Sequence, residues 1–269
     1  MIASRRVLLA VLVSSSLAFT AACSDDKADS SDKGGTPAAS ANAAAENAKD
    51  PRTALTDAFN RLAGGPASYT TSIQTPGNAG SKLTGSTDPS KKSHTAKMTV
   101  TSAELQTNAE VIIVGTDVYV KIGRQVPNVD PKKWMHVDGA KTSLAKIGLG
   151  NPEDPAGVKG FADAIVSAER TGQDAYKGTF DLTKRPLPTL TPEMVKQMGD
   201  AAKSVPFEAT VKDGYLATLS FKTAAVGRQV PPVTSSTTFS DFGKAVKIAK
   251  PAANETQAAP ASFLSQFAG

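Results

Sequence analysis

Cysteine is nearly absent: Cys23 is the only one in the chain of 269 residues. No disulfide can form within the chain, and no cysteine cluster can hold zinc or an iron–sulfur centre. Histidine is almost as scarce. His94 and His136 are the two present, and neither stands at ligand spacing from other His, Asp or Glu residues, so no metal site is expected. No G-x-S-x-G turn occurs and no glycine-rich phosphate loop opens a helix after a strand, which removes the usual nucleophile elbow and nucleotide cradle. His136 alternates with Trp134 and Asp138 on one strand face, but without a nucleophile and oxyanion site it reads as a surface histidine. Catalytic residues and cofactors are therefore not expected, and the chain is not read as an enzyme. Aromatic residues make up only 6% of the sequence. They do not interleave with a basic cluster, so nucleic acid is not an expected partner.

The first residues carry the most specific pattern. Arg5 and Arg6 give a positive start, Val7–Val13 is apolar, and Ala21-Ala22 stand immediately before Cys23. Charge, a short apolar stretch and small residues before a cut describe a secretory signal, here residues 1–22. The apolar stretch falls short of the roughly 20 residues needed to span a bilayer. The small residues before Cys23 resemble a lipobox, with Thr20 where Leu is usual. Acylation of Cys23 would make it the lipid-bearing N-terminus and would account for a lone thiol in an exported chain. Ser4-Arg5-Arg6-Val7-Leu8-Leu9 also resembles a twin-arginine signal, and the sequence leaves open the general or the twin-arginine route.

Residues 24–50 hold six acids and three lysines, and no aromatic or β-branched aliphatic residue. Such a segment buries too little apolar surface to offset its ordering entropy, so residues 23–50 are read as a disordered tether. Its reach as a flexible coil is about 30 Å. The signal is +2, residues 24–50 are −3 and Glu255 is the one charge beyond residue 250, so with a chain total of +5 residues 51–250 carry a net +7. Spread over 200 residues, that excess describes a lysine-rich surface with a slight preference for anionic membranes.

Residues 51–251 are read as one domain, followed by a loose tail over 252–269. Asp50-Pro51 opens a helix with Leu55, Ala58, Phe59 and Leu62 on one side, stopped by Gly64-Gly65-Pro66. Strand-like segments follow at 69–75, 82–86, 96–101, 134–137, 176–182 and 234–239. Helical spacing marks 154–167, through Val158, Phe161, Ala162, Ile165 and Val166, and a second helix after Thr191-Pro192-Glu193. In a hairpin around Gly115-Thr116, a two-residue type II′ turn pairs Ile113 with Val118, Val111 with Val120, and Ala109 with Ile122 on one apolar face. Slippage by one residue would turn Val111 and Ile113 outward, so the pattern fixes the register. A second hairpin, around Lys212-Asp213-Gly214, is read with a three-residue loop that sets Phe207 against Leu219 and Val205 against Phe221. Many antiparallel strands with a few helices in long connections describe an α+β domain on a curved meander.

The series Val118-Tyr119-Val120-Lys121-Ile122, Lys133-Trp134, Lys212-Asp213-Gly214 and Thr238-Phe239-Ser240-Asp241-Phe242-Gly243-Lys244, ending at Pro251, resembles the actinobacterial LppX/LprG-type lipoproteins. Their fold is similar to that of the LolA and LolB lipoprotein carriers. The resemblance covers about residues 51–251 and implies an antiparallel half-barrel capped by helices on its concave face. An apolar cavity there would hold acyl chains of envelope lipids or glycolipids.

The reading is then a lipid-anchored, monomeric carrier or binder at the extracytoplasmic face of the cell membrane. Ala109, Val111, Ile113, Val118, Val120, Ile122, Leu219 and Phe221 are the candidate cavity lining. The alternative is a tethered module, without lipid cargo, whose partner is another envelope protein. Volume separates the two: an open apolar cavity favours the carrier, a filled interior the module.

Overall fold

In the computed structural model of the chain, the described residues are 49–77, 79–102, 106–139, 158, 160–184, 192–225 and 231–265. Cys23, most of the expected tether and the N-terminal part of the helical pattern at 154–167 lie outside them.

Helix α1 (Pro51–Gly64) starts where the sequence places it. The Asp50 carboxylate accepts hydrogen bonds from the backbone N–H of Arg52 and Thr53, each at 3.1 Å, and Pro51 occupies the first turn, where a missing N–H costs nothing. Its buried stripe is Ala54, Leu55, Ala58, Phe59 and Leu62. The chain then lays down β1 (Ala67–Thr75), β2 (Ala79–Asp88), β3 (Ser93–Thr101), β4 (Gln106–Val114), β5 (Asp117–Ile122) and β6 (Trp134–Asp138). Next come α2 (Phe161–Ala164), β7 (Ile165–Arg170), β8 (Ala175–Phe180), α3 (Pro192–Met198), β9 (Val205–Lys212), β10 (Tyr215–Lys222) and β11 (Thr234–Ser240). The last elements are β12 (Thr256–Ala258) and α4 (Ala261–Ser265).

All twelve strands belong to one open, curved sheet in the order β12-β6-β5-β4-β3-β2-β1-β11-β10-β9-β8-β7. Every pairing is antiparallel except β12 with β6. The fold is thus α+β, a large antiparallel sheet with few helices. No helix among the described residues is long and apolar enough to cross a membrane.

The first hairpin has the register that its apolar alternation demands, with Ile113 opposite Val118, Val111 opposite Val120 and Ala109 opposite Ile122. Gly115 has φ +66 and Thr116 is not left-handed, the signature of a type II′ turn. The second hairpin differs from expectation. Asp213 (φ +54) and Gly214 (φ +74) form a two-residue turn with both residues left-handed, a type I′ arrangement whose twist matches that of the strands. Its register starts with Lys212 opposite Tyr215, and an irregularity between Leu216 and Thr218 inserts Ala217. That bulge shifts the pairing by one, so Phe207 meets Phe221 and Ala209 meets Leu219. Alternation read through the turn missed the bulge because an extra residue resets the phase.

Two further expectations change. The helical pattern ends early: α2 covers four residues, and Ile165–Arg170 is an edge strand on β8. Ile165 leaves the helix with φ −63 and ψ 119, and β-branched Ile165-Val166 suits the extended ladder better than another helical turn. The segment after Pro251 reads as loose from its alanine content, with one apolar turn open at Phe263, Leu264 and Phe267; residues 256–264 are docked, and Phe267 lies outside the described residues. β12 pairs with β6, and Phe263 in α4 is only 4% exposed.

Two separate apolar cores form on this sheet. In one, α1 and α2 pack on β7–β11: Phe180 stacks on Phe207 at 4.1 Å, and Phe161 lies 5.1 Å from Phe180 and 6.2 Å from Phe59. The other, smaller core joins Ile113, Val118, Val120, Met135 and Val137 to Phe263 of α4.

Candidate functional site

Register carried across the sheet shows which residues share a face. Leu219 lies opposite Thr237, and Thr237 opposite Thr71. The row then continues through Leu83, Met98, Ala109 and Ile122. A second row runs from Phe221 through Ser235, Ile73, Ser81 and Val100 to Thr107. A third passes from Phe239 through Tyr69, Gly85, Ala96, Val111 and Val120 to Met135. All eight candidate residues, Ala109, Val111, Ile113, Val118, Val120, Ile122, Leu219 and Phe221, therefore stand on one side of the sheet, the side that bears α1.

They do not line one space. Leu219 and Phe221 belong to the core under α1 and α2, where Phe161 sits 6.4 Å from Phe221. Ile113, Val118 and Val120 are buried in the smaller core with Phe263, and Val111 and Ile122 flank it half-buried. Ala109 is half-buried at its border. Between the two cores runs an apolar strip over β1–β5. Ile73, Leu83, Val100, Ala109 and Ile122 are only half-buried there, and Met98 is 37% exposed. Ile73, Leu83, Met98 and Val100 were not among the expected residues. Their alternation within β1–β3 was visible, but its phase relative to the first hairpin depends on the β3–β4 register.

Hydroxyls border the strip. Thr71 and Thr237 share a hydrogen bond at 3.0 Å. The Thr107 hydroxyl is buried without a partner among the described residues, and each such group carries a desolvation cost.

One polar pair is built into this face. The Tyr69 hydroxyl lies 2.7 Å from His94 Nε2, both side chains are buried, and the rings stack at 5.8 Å. Gly85 makes the arrangement possible, since a Cβ there would stand 2.6 Å from the Tyr69 hydroxyl and would clash with the Thr95 carbonyl. Burial pushes the Tyr69 pKa up and depresses that of His94 to about 4, so the ring is neutral near pH 7. One ring nitrogen bonds Tyr69, and Nδ1 has no partner among the described residues.

The outer face is polar. His136 stacks on Tyr119 at 4.9 Å and bonds Asp117 at 2.6 Å through Nε2, while Lys250 reaches the other Asp117 oxygen at 2.5 Å. Bonds from Lys250 and His136 hold the Asp117 carboxyl below its ordinary pKa. Lys121 lies over the Trp134 ring at 4.9 Å. His136 thus joins an ion-pair cluster around Asp117, while Trp134 pairs with Lys121. An open groove of about 700 Å³ crosses β7–β10. Ser167, Glu169, Lys177, Thr179, Glu208 and Lys222 line its walls on the polar side, with Lys177 3.4 Å from Glu169. Ala168, Pro206, Phe207 and Phe221 also line it, so the groove joins an apolar floor, which includes one candidate residue, to charged and hydroxyl-bearing walls. Among the described residues no group of His, Cys, Asp and Glu is arranged to hold a metal ion.

No family model matches the chain, and no curated protein matches it. Among solved structures, the chain is similar to a LolA superfamily protein from Nitrosomonas europaea. That likeness covers 81% of this chain and 98% of the other at 10% identity, with a TM-score of 0.27. At that score it lends the site no chemistry, and the architecture rests on the strand order and register described above.

Proposed function

We propose that the chain is an exported lipoprotein, tethered through Cys23, whose α1-bearing sheet face takes up the acyl chain of an envelope lipid or glycolipid. Among the described residues the eight candidates do not enclose one cavity, and the two filled cores are what the interaction module asks for. What carries the carrier reading instead is an open strip: Ile73, Val100 and Ala109 half-buried, Met98 exposed, and Leu83 and Ile122 half-buried at the edges of the two cores. Half-buried apolar side chains beside a filled core leave surface that an acyl chain can cover. The driving force would be large. Each methylene removed from water contributes about 0.8 kcal/mol, so burying ten contributes about 8 kcal/mol without polar recognition.

Anchoring belongs to the same proposal. Ala21-Ala22-Cys23 after an apolar run supports lipid attachment, and stable anchoring takes more than one acyl chain. Two experiments test the two parts. Met98→Asp places a charge in the strip at an already exposed position, and binding of a fluorescent fatty acid by the full chain should fall at least about tenfold. Undiminished binding would remove the strip from the reading. Cys23→Ser should shift the protein from the membrane fraction to the soluble extracytoplasmic fraction, and continued membrane retention would refute the anchor. If native mass spectrometry finds no lipid and the fatty acid does not bind, the tethered protein-interaction module becomes the better account.

A further inference from the structure

The two cores are covered differently. Over Leu219 and Phe221 lie α1 and α2, with interlocked aromatic rings. Over Ile113, Val118, Val120, Met135 and Val137, among the described residues, lie the end of the C-terminal segment, with Phe263 inserted and Ala259 and Leu264 beside it, and Val129 of the β5–β6 connection.

That segment sits at the edge of the sheet. β12 contributes three residues at a sheet edge, paired in parallel with β6. The Ala259 N–H donates to the His136 carbonyl at 3.0 Å. Gln257 accepts from the Asp130 N–H at 3.2 Å and donates to the Asp130 carbonyl at 2.8 Å. Lys250 holds Asp117 at 2.5 Å. The bonds of Gln257 and Lys250 lie at the surface, where such bonds add least, and a three-residue edge strand opens at lower free energy than a central one. The covered floor is also continuous with the open strip: Val111 and Ile122 flank the core under Phe263, and Ile122 lies in the same cross-strand row as Ala109, Met98 and Leu83.

We infer that residues 256–265 are a displaceable plug, which competes with an acyl chain for the β4–β6 floor and leaves when a long chain extends along the strip. The inference rests on the acyl-chain reading of the strip. A plug that must open first reduces apparent affinity by the fraction of time the site is open. Weakening the plug should therefore tighten binding, the reverse of removing a lining residue.

The test uses the full chain and a dansyl-labelled undecanoic acid, with Phe263→Ser to empty the plug and Lys250→Ala to loosen its tie without touching the floor. Expected are binding at least about tenfold tighter for Phe263→Ser, a smaller gain for Lys250→Ala, and faster hydrogen exchange at 256–265 when the unaltered chain is saturated with probe. If Phe263→Ser fails to fold by circular dichroism, Lys250→Ala and the exchange measurement decide. Equal binding by all three chains with unchanged exchange at 256–265 overturns the plug and leaves the acyl-chain reading standing. Failure of every folded chain to bind the probe overturns that reading, and the plug with it.

Discussion

Acidification should destabilise the fold through one residue, His94. Its ring is buried against Tyr69, one nitrogen has no partner among the described residues, and burial lowers its pKa from the ordinary 6.5 to about 4. In the unfolded chain the same ring takes up a proton near pH 6.5. The unfolded state therefore binds more protons between about pH 6.5 and 4, and stability falls as pH falls through that window. Each pH unit between the two values is worth about 1.4 kcal/mol, so the full effect is about 3 kcal/mol, with about 2–3 kcal/mol expressed by pH 4.5. For a domain of this size that corresponds to a drop in Tm of about 5–10 °C. Carboxylates held below their ordinary values, such as Asp88 and Asp117, contribute stability present above about pH 4 and lost as pH falls further, so they act at the acid end of the window. The assay is urea unfolding followed by circular dichroism at pH 7, 6, 5 and 4.5, comparing the unaltered chain with His94→Gln. The difference between the two curves isolates His94. The variant should be less stable at pH 7 and should lose less on acidification. Parallel curves for the two chains would refute the buried neutral histidine.

Three further outcomes follow from local geometry. Gly85→Ala should cost about 2–3 kcal/mol, because the new methyl meets the Tyr69 hydroxyl at 2.6 Å and a backbone carbonyl of β3; chemical denaturation would read it, and a neutral result would mean Tyr69 does not lie over this glycine. Deleting Ala217 removes the inserted residue between Leu216 and Thr218 and leaves a regular ladder, with Leu219 still opposite Ala209 and Phe221 still opposite Phe207; a retained cooperative transition in urea is expected, and its loss would show that Ala217 is not a simple insertion. Asp50→Ala removes both side-chain bonds to the first turn of α1 and should cost about 1 kcal/mol, measured as a lowered urea midpoint.

What the sequence disclosed and what it hid have definite physical causes. The α1 start was legible because Asp50-Pro51 combines a cap with a fixed φ, and the first hairpin because six apolar residues leave its register no freedom. The second hairpin was misread at Ala217, since a bulge leaves no compositional trace and changes the phase of everything after it. At 161–170 apolar residues sit at spacings that serve either a helix or a strand, and pairing with β8 decided for the strand. Docking of 256–265 was hidden because a parallel three-residue strand is too short for periodicity to show. The eight candidate residues, expected to line one cavity, share one side of the sheet, but the two covers that divide them come from Phe161 and Phe263, distant in sequence from the hairpins they fill. Ile73, Leu83, Met98 and Val100 were missed because each strand looks ordinary until cross-strand pairing aligns them.

Having its packed mass at two places on one ribbon gives the sheet an unusual mechanical division. Between the cores, β2 and β3 are held by backbone ladders, side-chain hydroxyls and the buried Tyr69–His94 pair, so bending of one end relative to the other would concentrate there. A greasy guest lying across those strands would bridge the halves, so the filled protein should melt at a higher temperature than the empty one.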